Sequence, residues 1–269
     1  MIRGAVLGFP IEHSLSPVLH KAAYNFLGIE GDYVAHEVKS GELASFLDTH
    51  KDSYDYFSLT MPLKEEVLTA GFPQDAVTSK ISSANTLYRR KDEWFMTSTD
   101  GTGAIHALSH AGIKSAKSVL ILGAGGTARA IAGAMDSISE SVHVLGRSDL
   151  RREALERAVT KAEFSYIRWN LGVDFSAYDV VFNTTPAGGA DLLIDALPAH
   201  IDAMLFDVIY KPWPTVLASH WRDRGGRVIG GLELLLYQGI DQIELALDIS
   251  TDRSALAAHL REILRQKSR

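Results

Sequence analysis

Val119-Leu120-Ile121-Leu122 runs into Gly123-Ala124-Gly125-Gly126-Thr127-Ala128, and Arg129 to Met135 continues with helical periodicity. The apolar run reads as a buried strand, and glycine at its end lets the chain turn sharply. The same turn lets the backbone approach an anion, which amide N–H groups at the helix N-terminus can bind. Strand, glycine-rich turn and helix in this order read as a dinucleotide-binding turn, although a plain strand-to-helix connection shares the local pattern. Position adds weight. Roughly a hundred residues precede the turn, enough for a separate domain, and these are left to hold the substrate.

Downstream, the apolar runs Val142–Leu145, Phe164–Ile167, Val180–Asn183, Leu205–Val208 and Val228–Ile229 recur between helical or loop segments. That alternation predicts a doubly wound parallel sheet. Upstream, Ala5–Phe9, Tyr33–Glu37 and Tyr56–Leu59 alternate with the helix-period stretches Val18–Leu27, Glu42–Leu47 and Leu63–Ala70, which predicts a second, mainly parallel sheet. Leu232–Leu247 reads as an apolar helix, and Ser254–Gln266 as an amphipathic one with Ser254 at its N-cap. The basic end, Arg261 to Arg269, suits the C-terminal dipole of that last helix. Gly101 and Gly103 interrupt periodicity before Ala104–Ala111, placing the domain joint near Asp100–Gly103.

Composition narrows the chemistry. The 269 residues are 46% hydrophobic, include no cysteine and carry a formal net charge of -6. Disulfides, thiolate metal sites and thiol nucleophiles are excluded together, leaving His, carboxylates, Lys, Tyr and hydroxyls. A sequence pI near 5.9 with no long basic run argues against nucleic acid as partner. The opening run breaks at Pro10 and reads as a strand rather than a signal peptide, and no segment has the length of a membrane span. The expected location is the cytoplasm, and the expected partner a small molecule, with the chain a monomer or homodimer. His106 and His110 have the i, i+4 spacing of metal ligands, but without a third ligand no metal is expected.

Several polar segments fall where strands end. Pro10-Ile11-Glu12-His13-Ser14-Leu15-Ser16-Pro17 follows the first strand. Ser16 reads as an N-cap with Pro17 at the first helical position and Gly28 ending the helix, and two hydroxyls beside a helix N-terminus would also cradle a carboxylate. Thr60-Met61-Pro62-Leu63-Lys64-Glu65-Glu66 puts Lys64 in a first helical turn. A cation there is electrostatically misplaced by roughly 0.3–1 kcal/mol, so it is either a proton-transferring lysine or a surface partner of Glu65 or Glu66. Asn85 and Asp100 sit in the polar clusters Ser83–Leu87 and Ser98–Gly103, which ordinary turns would also explain. A carboxylate would fix a lysine, and a side-chain amide can read a hydroxyl through donor and acceptor at once. Gln238 lies within the apolar helix and needs a partner. After the second strand of the nucleotide fold, Gly146-Arg147-Ser148 with Arg151 favours a 2′-phosphate and hence NADP, while Asp149 would favour a ribose hydroxyl and NAD.

Taken in order, these segments resemble the shikimate dehydrogenase family. The match covers Pro10–Pro17, Thr60–Lys64, Ala84-Asn85-Thr86, Thr99-Asp100-Gly101, Gly123–Arg129, Asn183–Gly188, Asp207–Pro212 and Gln238-Gly239. The resemblance implies that Lys64 and Asp100 form the catalytic pair. It implies that Ser14 and Ser16, with Tyr210, bind the substrate carboxylate, and that Thr60, Asn85 and Gln238 complete the pocket. Cofactor contacts are expected from Gly123, Ala124, Gly125, Gly126, Thr127, Ala128, Arg147, Ser148, Arg151, Asn183, Thr184, Thr185, Val208 and Gly231.

The implied fold is α/β, with an N-terminal α/β substrate domain (1–101 and 236–269) and a Rossmann-type NADP-binding domain (102–235). One or more C-terminal helices return to the first domain. The implied reaction is reversible hydride transfer between NADPH and the ketone of 3-dehydroshikimate. An NAD-dependent quinate/shikimate dehydrogenase and a non-catalytic dinucleotide-binding regulator are the alternatives. The chain departs from the usual family pattern at Ser58, Ser98 and Gly146, where Asn is common, and at Gly189 and Leu234, where Met is common. Ser58 and Ser98 bear on hydroxyl selectivity, Gly146 and Gly189 on the cofactor path.

Overall fold

The opening apolar run forms β1 (Ile2–Gly8). It is followed in chain order by α1 (Ser16–Leu27), β2 (Gly31–Glu37), α2 (Leu43–His50), β3 (Tyr56–Leu59), α3 (Leu63–Glu66), α4 (Ala76–Ile81), β4 (Thr86–Arg90) and β5 (Glu93–Thr97). These strands make a sheet ordered β2-β1-β3-β4-β5. β1 runs parallel to β2 and β3, as helical crossovers require, but β3–β4 and β4–β5 are antiparallel. The first sheet is therefore mixed rather than mainly parallel. Lys91 and Asp92 take φ of 48° and 68°, a two-residue turn that joins β4 directly to β5. Neither residue is the Asn-Gly or Asp-Gly that announces such a turn in a sequence.

The remaining elements are α5 (Asp100–His110), β6 (Ala116–Leu122), α6 (Gly126–Met135), β7 (Ser139–Gly146), α7 (Arg152–Ala158), β8 (Glu163–Arg168), β9 (Val180–Asn183), β10 (Met204–Asp207), α8 (Val216–Asp223), β11 (Arg227–Ile229), α9 (Gly231–Leu247) and α10 (Arg253–Lys267). Their sheet, ordered β11-β10-β9-β6-β7-β8, is parallel throughout. Strand order reverses between β6 and β9, the switch point at whose carboxyl ends open sheets of this kind bind ligands. This is the doubly wound, Rossmann-type arrangement.

This computed structural model describes residues 1–267, and it divides into two compact units. One is Met1–Gly103 with the chain from Leu235 onward, and the other is Ala104–Leu234. The first has a core that includes Leu7, Phe57, Leu63, Leu87 and Met96. The second buries Leu120, Val181, Leu205 and Trp221 together, with the Trp221 ring N–H donating to the Ala203 carbonyl at 3.0 Å. In the first unit α10 packs back on α1, where the Phe26 and His259 rings lie 4.8 Å apart.

Three local expectations need correction. Ser16 is the first residue of α1 rather than its cap, and the Ser14 hydroxyl accepts from the Ser16 N–H at 3.3 Å. α10 starts at Arg253, so Ser254 lies inside it; Asp252 takes the capping role by accepting from the Ala255 N–H at 3.0 Å. The stretch Leu63–Ala70 is a single α-turn followed by a 3-10 turn at Val67–Thr69 rather than one helix. Arg265 and Lys267 do occupy the last turn of α10, whereas Ser268 and Arg269 of the basic end lie outside the described residues.

Candidate active site

In the first unit, sheet topology gathers the polar segments at one edge. β1 and β3 are parallel neighbours with Leu7 opposite Leu59, so the loops carrying Ser14–Ser16 and Thr60–Lys64 leave from the same end. Antiparallel β4 begins at that end, since Ser58 pairs with Thr86, which places Asn85 beside the end of β3. β5 returns to it, with Thr97 opposite Thr86, so that Asp100 opens α5 nearby.

Lys64, in the single turn of α3, donates from Nζ to Asp100 Oδ2. The Asp100 side chain is only 5% exposed and that of Lys64 17%, so the pair is largely shielded from water and from salt. Glu66 turns elsewhere, accepting from the Gly41 and Leu43 N–H groups at the start of α2. Asn85 holds the second Asp100 oxygen. Its Nδ2 donates to Asp100 Oδ1 at 2.7 Å and to Gln238 Oε1 at 3.2 Å. Gln238 in turn donates from Nε2 to the Leu235 carbonyl at 3.0 Å. α9 comes close enough for this because Gly103 of α5 faces the Gln238 backbone; a Cβ at 103 would lie 2.8 Å from the Gln238 nitrogen. Lys64, Asp100, Asn85 and Gln238 thus form one connected cluster.

Ser14 and Ser16 make their own pair past β1, with Ser16 buried. Thr60 follows β3 and donates its N–H to the Leu7 carbonyl at 2.9 Å. Tyr210 belongs to the other unit, on the segment after β10. Ser58, a departure from the family pattern, is buried and donates to Gln242 Oε1 at 2.7 Å.

In the second unit the glycine turn has the shape its sequence requires. Gly123 takes φ 107°, and a Cβ there would lie 2.6 Å from Thr184 Oγ1. Thr184 Oγ1 donates to the Leu122 carbonyl at 2.7 Å, closing the end of β6 against that of β9. Gly125 caps α6 without a side-chain hydrogen bond, and a Cβ at 125 would meet nothing within 4 Å. The Gly126, Thr127 and Ala128 amides stand in the first turn of α6, an N-terminus of the kind that binds a pyrophosphate. Gly231 lies against the Val208 carbonyl, which a Cβ there would overlap. Asn183 donates to Asp207 Oδ2 at 3.1 Å and accepts from the Thr185 hydroxyl at 2.7 Å, so these side chains shape the strand ends. Burial pushes the Asp207 carboxyl up, against hydrogen bonds from Thr215 and Asn183.

Beyond β7, Arg147, Ser148 and Arg151 are exposed and present donors only a few residues apart. Asp149 is engaged by Arg168 at 2.8 Å; both are exposed, so the pair adds little stability but sets where the carboxylate points. Gly146 is explained by Tyr166 of β8, whose hydroxyl occupies the space a Cβ at 146 would need and donates to the Ser148 carbonyl. Among the described residues no three His, Cys, Asp or Glu side chains form a group that could hold a metal, and no helix is long and apolar enough to cross a membrane.

Sequence reading singles out neither Thr99 nor Gln242. Thr99 donates from its backbone N–H to Asn85 Oδ1 at 2.8 Å, a role that its place beside Asp100 hints at. Gln242 lies one helical turn beyond Gln238, and that i, i+4 spacing is its available signal.

Residues 6–87 match the sequence model of the shikimate dehydrogenase substrate binding domain. The shikimate dehydrogenase (NADP(+)) of Thermococcus kodakarensis is 35% identical over 255 residues, 93% of each chain. The crystal structure of Mycobacterium tuberculosis shikimate dehydrogenase is 32% identical, with a TM-score of 0.87 over 97% of this chain and 100% of that one. A Thermus thermophilus shikimate 5-dehydrogenase in complex with NADP(H) and shikimate gives a TM-score of 0.84 at 28% identity, over 98% and 100%. With the site cluster, the doubly wound sheet and this extent of similarity in agreement, the chain belongs to the shikimate dehydrogenase family.

Proposed function

We propose that this protein is an NADP-dependent shikimate dehydrogenase, interconverting 3-dehydroshikimate and shikimate in aromatic amino acid biosynthesis. The observation that carries the reading is the shielded Lys64–Asp100 pair, held on its other side by Asn85. When bound, NADPH supplies the hydride. Lys64 stabilises the charge that develops on the ketone oxygen and delivers a proton to it, and in the reverse direction accepts the hydroxyl proton. Asp100 keeps the ammonium in place, and Asn85 keeps Asp100 in place. Ser14 and Ser16 bind the substrate carboxylate beside the α1 N-terminus, while Thr60, Asn85 and Gln238 take the ring hydroxyls. The Gly123–Ala128 turn holds the pyrophosphate, and Arg147, Ser148 and Arg151 the 2′-phosphate.

The engagement of Asp149 by Arg168 supports NADP over NAD, since that carboxylate is then turned to a guanidinium rather than to a ribose. The presence of Lys64 and Asp100 as a pair supports turnover over a purely regulatory role. A cytoplasmic location and a monomeric or homodimeric state belong to the same proposal as expectations from sequence. The test is shikimate-dependent NADP+ reduction by the purified chain. Lys64→Ala is expected to lower kcat by about 10²–10⁴-fold with the NADP+ dissociation constant unchanged. An unaltered rate would remove Lys64 from the mechanism.

A further inference from the structure

Gln242 is 1% exposed, and its side-chain amide is fully engaged. Nε2 donates to the Asn85 carbonyl at 3.2 Å and to Thr86 Oγ1 at 3.0 Å, while Oε1 accepts from Ser58 Oγ at 2.7 Å. Ser58 accepts in turn from the buried Tyr33 hydroxyl. The direction of these bonds is fixed by chemistry. The Asn85 carbonyl can only accept, so Gln242 must present its NH2 group there. Thr86 Oγ1, receiving a proton from Gln242, sends its own to Asn85 Oδ1 at 2.8 Å. The Thr99 N–H, which can only donate, meets the same Oδ1. With Oδ1 held from two sides, Asn85 is left to present Nδ2 to Asp100 and to Gln238.

We propose that Gln242 is a positioning residue for the substrate pocket: it orients the Asn85 amide through Thr86 and, through Ser58 and the Asn85 carbonyl, fixes the rotation of α9 that brings Gln238 onto Asn85. Gln238 and Gln242 stand one turn apart on that helix, so a small rotation moves both. Their partners, Ser58 on β3, Thr86 on β4 and Asn85 just before β4, belong to the sheet rather than to α9. The inference rests on the reading of Asn85 and Gln238 as substrate contacts. It also gives Ser58 a role in this chain: its hydroxyl is the near anchor of the Gln242 amide.

The test is Gln242→Met, which keeps length and volume while removing every polar contact of the side chain. Misplacing binding groups by fractions of an ångström acts on substrate affinity, so the shikimate KM is expected to rise about tenfold, kcat to change less and the NADP+ KM to stay put. Ser58→Ala is expected to raise the shikimate KM in the same direction by less. Combined with Gln242→Met it should add nothing, because Gln242→Met already removes the bond that Ser58 donates. A lowered Tm with the shikimate KM at its wild-type value would show a purely structural side chain and overturn the proposal. Should Gln242→Met fail to fold, Ser58→Ala decides by the same KM criterion. Failure of the functional reading looks different: wild-type protein would then show no shikimate-dependent NADP+ reduction at all.

Discussion

His20 is a buried imidazole with no place in the proposed chemistry. It lies fully buried on α1, stacked on the Tyr33 ring at 3.9 Å, with Nδ1 2.6 Å from the Tyr56 hydroxyl and Tyr24 bonded beyond it. Burial pushes its pKa down from the ordinary 6.5 to about 3. As pH falls below 6.5 the unfolded chain takes up the proton first, so stability declines with acidification through the window from 6.5 to about 3; above it the group contributes no pH dependence. The loss is on the order of 2 kcal/mol at pH 5. His20→Gln should flatten the acid side of a Tm-versus-pH curve, and a curve that keeps the wild-type slope would count against this assignment. The chemistry-bearing residues behave differently at this scale. Lys64 and Gln238 stand out in the sequence as residues that local structure does not ask for. Asn85, Thr99 and Asp100 sit in clusters that ordinary turns would also explain, and Gln242 does not stand out because its partners are remote in the chain.

Individual elements are legible wherever a local rule governs them. The strand β6, the turn after it and the start of α6 follow from an apolar run and glycines whose backbone geometry other residues rarely adopt. Gly123→Ala puts a Cβ on φ 107° and within 2.6 Å of Thr184 Oγ1. We expect a loss of about 1–3 kcal/mol in stability and a clear rise in the NADP+ dissociation constant, with the shikimate KM little changed. Normal cofactor affinity in a folded Gly123→Ala protein would mean that the turn does not carry the pyrophosphate. The hairpin of β4 and β5 is not legible. Its turn residues, Lys91 and Asp92, adopt positive φ against their own preference, held by five opposed residue pairs between the strands. Cap assignment slips by one or two residues for a related reason: at α10 Asp252 and Ser254 are both competent caps and Asp252 takes the role, while at α1 the cap position falls on Leu15 with no capping side chain.

At the scale of the whole molecule, each unit carries its own sheet and its own buried core. On the proposed reading the substrate and cofactor contacts fall on different residues, so the two preferences can be measured together and assigned apart. Steady-state kcat/KM for the four combinations of shikimate or quinate with NADP+ or NAD+ should be greatest for shikimate with NADP+. Faster turnover of quinate with NAD+ would move the assignment to the alternative dehydrogenase. The sequence alone determined the two α/β halves, the glycine turn and the residue types available for proton transfer, because periodicity, glycine backbone demands and strand-end position act over a few residues. Only the tertiary structure decided that these side chains meet. The bond from Asn85 to Gln238 spans 153 residues and the one from Gln242 to the Asn85 carbonyl 157, and both depend on the antiparallel return of β4 and the rotation of α9. Such contacts form when distant segments are packed to bury their apolar faces, and no local spacing encodes them.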